Sequence, residues 1–572
     1  MPMPSNEPAS LEYWNRESKG GWKYLLPPLH NLSVACLSSR PQWVIGQAPL
    51  YGSLTLLHDS QLVGLAPLSE VETACQGKVD VCGVDALLDA GQAPSAAPRF
   101  DGLLVHDPEG SLLHRRNLGR ISRLLLCLAP LLRPGAFVYL GVRNPHALVR
   151  LAALARGQWR DPSLRVNQAL QRLRIARFDN ARVHAYLASG TSLTEVIPQR
   201  GYRASKNRER IAERLKEFVY GRFASRVLAP AYGIVAYAGP AAESTLALVM
   251  KKLAAAPYYD CTDPPVVKHY LLFQGSKAIV TLGPQASEQH DVVVILSSDE
   301  MAIERRQVES AVLAELAKLP RAIARLVPRA LDHFVIGRTH CFVVNRLPGV
   351  TLDVDSDALD AITERALDYV VDLHRASSQR VLIDEANYRR FFGSLLEAAR
   401  TRNPSVAVEV AAWDAPLRQC VMGTTLPTVW MHGDYKVENV MYDQSRRQLT
   451  GVIDWELAQG PGLPLLDPLY LLFYNRLIRG EEHLNALRDL LLTDRRHTSE
   501  RSMLQRYSAA IGLPAEASEA LCAMYVAHHI GCRLHFYSDD SLRELDVIAK
   551  QTRTMLERAA ASAQRARSQA QP

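Results

Sequence analysis

The 572-residue chain contains no C-x-x-C pair, and its nine cysteines are an odd number scattered from Cys36 to Cys532. That excludes a zinc ribbon and argues against a disulfide framework; buried free thiols in a reducing compartment fit better. No stretch approaches the ~20 uninterrupted apolar residues that a membrane span needs. The greasiest run, "ISRLLLCLAPLLRPGAFVYLGV", is broken by Arg, Pro and Gly. The opening "MPMPSNEPASLEYWNRESKG" lacks the basic-then-apolar order of a secretion signal, so a cytoplasmic location is expected. Charge of one sign is also scarce. The 66 basic and 59 acidic residues leave +7, too mild over this length to imply nucleic acid. There is no internal repeat.

What is present is a chain 48% apolar and 22% charged, too long for one ordinary core, so two or more domains are expected. In residues 41–145, "QWVIGQAPLYGS", "LVGLAPL", "KVDVCGVDALLD", "RFDGLLVHD" and "FVYLGVRN" read as strands. Helix-like "LGRISRLLLCLAPLL" precedes the last of them. This alternation predicts a doubly wound, parallel α/β sheet. Residues 165–230 read as mainly helical, with the basic "RASKNRERIAERLKEFVYGRF" as a solvated face. The expected divisions are an α/β domain with a helical extension over 1–240 and a linker over 241–264. A small β-rich lobe would follow over 265–350, a helical lobe over 351–560 and a frayed tail over 561–572.

The chemistry concentrates in "VWMHGDYKVENVMYDQSRRQLTGVIDWE", residues 429–456. "TVWM" enters as a strand, the polar "HGDYKVEN" must be a loop, and "VMYD" and "LTGVIDWE" return as two more strands. A short hairpin turn holds its flanking loops close together, so Asp434, Asn439 and Asp454 can meet at one end. Two carboxylates and an amide oxygen are hard ligands that suit Mg2+ sharing substrate phosphates. Turn capping is the plainer reading of such residues, and for Tyr435 or Glu438 alone a solvent-facing loop side chain is expected.

His432-Gly433-Asp434 followed by Asn439, with Ile453-Asp454-Trp455-Glu456 downstream, resembles the catalytic loop and metal-binding segment of the aminoglycoside phosphotransferase and choline kinase family. The resemblance implies a protein-kinase-like α+β fold acting on a small-molecule hydroxyl with ATP and Mg2+. By it, Asp434 is the catalytic base, His432 orients its loop, and Asn439 and Asp454 hold the metal. Asp467 would brace the loop. "VVDLHRAS" resembles the helix that precedes it. "NRLPGVTL" resembles the hinge, placing Asn345 and Leu347 beside adenine. "LLFQGSKAIVTL" has the place of the nucleotide loop, with Gly275 in its turn. One departure stands out. The family has a lysine on the third strand that pairs with a helix glutamate, but here the strand is "DVVVILSS", with Ile295 where the lysine belongs. Glu309 suits the glutamate, and Lys277, at the start of the preceding strand, is a candidate replacement cation.

In the first domain, Gly46, Ala48 and Gly52 allow close approach of a ligand or a helix to the backbone. Phe100-Asp101 and Arg133-Pro134-Gly135 resemble the second half of class I S-adenosylmethionine-dependent methyltransferases. That resemblance places Asp85 by the adenine of S-adenosylmethionine, although a helix cap is the plainer role for it. The expected function is thus an ATP- and Mg-dependent phosphotransferase for a small-molecule acceptor, active or weakly active, fused to a methyltransferase-like domain. Two other readings stand beside it: an inactive pseudokinase or binding scaffold, and a methyltransferase whose kinase-like part only binds substrate.

Overall fold

The computed structural model describes residues 21–38, 51–58, 79–84, 99–106, 118–143, 171, 173, 178, 181–188, 194–197, 231–272, 277–288, 290–351, 358–492, 496–533 and 539–570. The chain divides into two compact units. One comprises residues 2–304 and 330–346; the other comprises 305–329 and 347–572, with Met1.

Among the described residues, the first unit is built on a thirteen-stranded sheet. Its strands are β1 (Ser33–Ser38), β2 (Ser53–His58), β3 (Asp80–Gly83), β4 (Phe100–His106), β5 (Leu132–Arg143), β6 (Arg182–Ala188), β7 (Thr194–Ile197), β8 (Ala231–Tyr237), β9 (Val266–Leu272), β10 (Ala278–Gly283), β11 (Val292–Ser297), β12 (Ala330–Ile336) and β13 (Thr339–Asn345). The order is β12-β13-β11-β10-β9-β7-β6-β8-β5-β4-β1-β2-β3. From β5 to β3 neighbouring strands are parallel, and β8 joins β5 antiparallel. This half is the parallel α/β sheet that the sequence predicts. From β9 to β13 all neighbours are antiparallel, the small β-rich part that the sequence predicts.

Strand alternation sorts the apolar residues into two cores. Val34, Cys36, Leu54, Leu56, Leu104 and Tyr139 fall in one buried cluster, and Ala35, Leu37, Leu57, Leu103, Val105 and Val138 fall in the other. Helix α1 (Leu118–Leu128) buries Leu124, Leu125 and Leu128 in the second cluster. Helix α2 (Thr245–Ala254) buries Leu246, Val249 and Leu253 in the first, its N-terminus capped by Ser244 Oγ accepting the Ala247 N–H at 3.1 Å.

Several expectations are corrected here. The segment read as a linker holds α2, and the 3-and-4 spacing of its apolar residues was the overlooked signal. The region read as mainly helical contains β6 and β7. In "RVHAYLA" Val183, Ala185 and Leu187 alternate with polar residues or Tyr, a strand period. The first described strand is β1, an apolar "SVACLS" that was not assigned, whereas "QWVIGQAPL" and "LVGLAPL" lie outside the described residues.

The second unit is mainly helical. It contains α3 (Glu300–Leu316, from Arg305 onward), α4 (Leu359–Ser377), α5 (Leu466–Ile478), α6 (Thr498–Ile511), α7 (Ala515–Arg533) and α8 (Asp539–Ala570). Helix α8 continues through 561–570, where a frayed tail was expected; Ala559, Ala560 and Ala563 are buried along it. Small sheets complete the unit: β14 (Val350–Thr351) beside a hairpin of β17 (Val440–Asp443) and β18 (Gln448–Val452), and β16 (Thr425–Met431) between two short strands. Among the described residues no helix is long and apolar enough to cross a membrane.

Candidate active site

The hairpin β17–β18 was expected from the sequence, and it does bring the two acidic loops together. The loop between β16 and β17 carries His432, Asp434 and Asn439, and the segment leaving β18 carries Asp454. The Ile453 N–H donates to Asn439 O at 2.9 Å, and His432 Nε2 donates to Ile453 O at 3.0 Å. The Asn439 amide donates to Asp434 O at 2.9 Å and to Asp434 Oδ2 at 3.1 Å. That leaves the Asn439 Oδ1 lone pairs outside this bond. His432, fully buried, accepts the Asp434 N–H on Nδ1 at 3.3 Å, so both ring nitrogens hold backbone, as expected of a positioning group.

Backbone geometry is special at both loops. Gly433 has φ +79, and a Cβ there would run into the Leu457 carbonyl oxygen. Asp454, a non-glycine, also lies in the left-handed region at φ 67. Such conformations persist only where the surroundings hold them.

Asp467, at the start of α5, is buried beneath the first loop. Its Oδ2 accepts the His432 N–H at 2.7 Å and its Oδ1 accepts the Gly433 N–H at 3.0 Å. His374 Nε2 from α4 lies 3.4 Å from Oδ2. Behind it, His374 Nδ1 and the Tyr507 hydroxyl are 2.6 Å apart, and that hydroxyl accepts the Leu465 N–H at 3.1 Å. Burial pushes the Asp467 carboxyl up, but His374 and His432 outweigh it and hold the group below the usual carboxylate range. Asp467 thus ties the backbone of the first loop to the start of α5 through two hydrogen bonds.

Two residues were missed. Lys436 sets its Nζ 3.3 Å from Asp434 Oδ2 and 3.6 Å from Glu438 Oε2, with the Tyr474 ring 5.1 Å away. Arg306, on α3 one turn before Glu309, answers the missing lysine. It is 3% exposed and donates to Glu309 Oε2 through Nη1, and through Nη2 to Asp454 Oδ1 at 3.1 Å and Glu456 Oε2 at 2.5 Å. Glu309 in turn accepts the Trp455 N–H at 3.0 Å. Burial pulls the guanidinium down, yet Glu309, Glu456 and Asp454 outweigh it and keep it protonated. Glu309 thus has a cation after all, on its own helix rather than on a strand.

The other candidates fall as follows. Leu347 packs where a Cβ on Gly451 would sit, and Thr450 Oγ1 donates to Pro348 O at 2.6 Å, so the "LPG" turn rests on the hairpin that carries Asp454. Asn345 ends β13 opposite Val292. Lys277 immediately precedes β10 and is half-buried; Ile295 is buried in β11. Gly275, Gly46 and Asp85 lie outside the described residues. Gly52 sits against the Asn31 backbone, which a Cβ would approach to 2.9 Å, a packing role. Asp101 accepts both the Ser33 N–H and the Arg133 guanidinium, at 2.8 Å in each case, so it braces strands. Tyr435 is not solvent-facing: it is fully buried and donates to Ala366 O at 2.7 Å.

Residues 286–501 match the model of the phosphotransferase enzyme family, so the resemblance carried by "HGDYKVEN" and "IDWE" holds for this region of the chain. No curated protein matches the chain. Among solved structures, the chain is similar to a thermostable aminoglycoside phosphotransferase, APH(4)-Ia, in ternary complex with AMP-PNP and hygromycin B, at 15% identity and TM-score 0.35 over 54% of this chain and 98% of that one. It is similar to APH(3'')-Id from Streptomyces rimosus at 17% identity and TM-score 0.29, over 55% and 98%. It is also similar to a SAM-dependent methyltransferase from Archaeoglobus fulgidus at 13% identity and TM-score 0.27, over 40% and 94%.

Proposed function

We propose that the C-terminal region transfers the terminal phosphoryl group of ATP to a hydroxyl of a small molecule, such as a sugar or an aminoglycoside-like acceptor. The observation that carries this reading is the hydrogen-bonded tie between the two loops, which keeps Asp434, Asn439 and Asp454 at one end of the hairpin. Asp434, oriented by Asn439, would accept the hydroxyl proton. Lys436, beside Asp434, would carry negative charge that develops on the transferred group. The donor set fits Mg2+. Asn439 keeps a carbonyl oxygen, Asp454 is about one-third exposed (35%), and among the described residues no closed cage of acids and histidines competes with a site that shares ligands with phosphates. Asn439 and Asp454 would hold the ion, which when bound neutralises phosphate charge.

A second reading has one observation in its favour. Arg306 sits on Asp454 Oδ1, as it would in a protein that binds nucleotide without turnover. The two separate in one experiment on the full chain. ADP release and phosphorylated product are measured with ATP, Mg2+ and a panel of hydroxylated acceptors. Transfer is expected to fall by ~10²–10⁴-fold in Asp434→Asn with nucleotide binding retained. Nucleotide binding with no acceptor turned over above the Asp434→Asn background would leave the binding-only reading. No methyl-transfer step is assigned to the other unit, because Asp101 is already engaged by Arg133 and Ser33.

A further inference from the structure

Outside the loops just described, two buried nitrogens lack a hydrogen-bond partner in the same place. Lys23 Nζ and His30 Nδ1 are both unpartnered and both line one cavity in the unit that holds the large sheet. The cavity is also lined by Arg338 and by the hydroxyl residues Ser298, Thr339 and Thr245, and among the described residues no carboxylate lines it. We propose that this cavity is a binding site for a small oxyanion of phosphate size and charge.

Lys23 is 4% exposed, so its ammonium has exchanged water for a protein interior without gaining a partner there. An isolated buried charge is costly, and proteins either pair it or neutralise it. Burial does push Lys23 down to about 7, partly countered by Asp299. Asp299 cannot serve as the missing partner: it makes no hydrogen bond to Nζ, and its Oδ1 accepts the Ala302 N–H at the start of α3. Lys23 Nζ also lies 5.1 Å from the centre of the Tyr24 ring. An anion in the cavity would restore the proton on Lys23 and accept from it, from His30 and from the Arg338 fork. The hydroxyls of Ser298 and Thr339 are 3.3 Å apart, so one donates to the other and the second is left to donate to the anion. Donors on several sides suit a tetrahedral oxyanion better than a planar carboxylate. The elements that form the site are the short 3-10 turn Gly21–Leu25, the start of α2 and the β12–β13 turn, so the site is far in sequence from Asp434 and Asp454 and does not depend on the reading of that centre.

The test is a melting titration of the full chain with inorganic phosphate at constant ionic strength and slightly acid pH, against chloride and acetate. A saturable rise in Tm is expected that chloride does not reproduce, that persists in Asp454→Ala, and that needs roughly tenfold or more phosphate in Lys23→Met. Because Lys23→Met could itself perturb folding, acetylation of Lys23 in the unaltered chain is followed by peptide mass spectrometry. Protection is expected at the same phosphate concentrations. No saturable rise, a rise unchanged in Lys23→Met, or unprotected Lys23 overturns the proposal. A rise lost in Asp454→Ala would place phosphate at the other centre and also overturns it. Acetate acting as strongly as phosphate overturns the assignment to phosphate.

Discussion

Replacing Arg306 by methionine tests the substitution that this chain makes for the absent strand lysine. Arg306 is one guanidinium among the three carboxylates of Glu309, Asp454 and Glu456. Removing the guanidinium leaves three acids facing one another and breaks the anchor of Glu309, which holds the Trp455 N–H. The Glu309 contact dominates the energetics. Both partners are more than nine-tenths buried, and breaking such a pair by deleting one member costs about 3–5 kcal/mol. Asp454 and Glu456 are 35% and 22% exposed, so their contacts are screened and add at most about 1 kcal/mol each. Arg306→Lys keeps the charge but loses the fork, and about half the loss is expected. Two readouts separate positioning from simple destabilisation. Hydrogen exchange over residues 448–458 should accelerate under conditions where the rest of the unit stays protected. The transfer rate should fall ~10²–10³-fold, with a smaller change in KM for ATP. If Arg306→Met leaves that exchange unchanged, shifts stability by less than about 0.5 kcal/mol and keeps activity within about twofold, the idea that Arg306 replaces the lysine is refuted.

Three further outcomes are expected. Asp467 is held below the usual carboxylate range in the folded chain, so it stabilises fully above the unfolded value of about 4 and loses that contribution as pH falls through the folded value. Denaturation curves from neutral pH downward should show this loss, and Asp467→Asn should flatten it. Gly433→Ala forces a Cβ into a left-handed conformation against Leu457 O; about 1–3 kcal/mol of stability and most of the transfer activity should go, read by urea midpoint and product formation. Lys436→Met should leave nucleotide binding near normal but lower turnover by roughly 10–10³-fold, while an unchanged turnover number would remove Lys436 from the transfer step.

Much of the site was legible because it is local. Asp434, Asn439 and Asp454 lie within one hairpin and its flanks, where strand period and turn signals set which residues meet. The brace was partly legible: Asp467 and the Leu-His helix end were expected, whereas Tyr507 in α6 carried no signal of its own. Arg306 was missed for a physical reason. An Arg three residues before a Glu on a helix is the ordinary pattern of a solvated i,i+3 pair, and only the packing of α3 makes it a buried hub. Elsewhere propensity misled in both directions. The alternation in "RVHAYLA" lost to its basic helical neighbours, and the Ala-Pro-rich surroundings of α2 masked three apolar residues at helical spacing.

By itself, then, the sequence determines the acids of the hairpin and their spacing, since a turn of a few residues leaves its flanks few other separations. It also determines that no lysine stands in β11. Tertiary structure alone decides what faces Glu309. Arg306 and Asp454 are 148 residues apart, and nothing in either neighbourhood names the other. Their meeting depends on which face of α3 is buried, and burial is a property of the whole fold: the same guanidinium in water would be a weak surface partner, while at 3% exposure it must be matched by carboxylates.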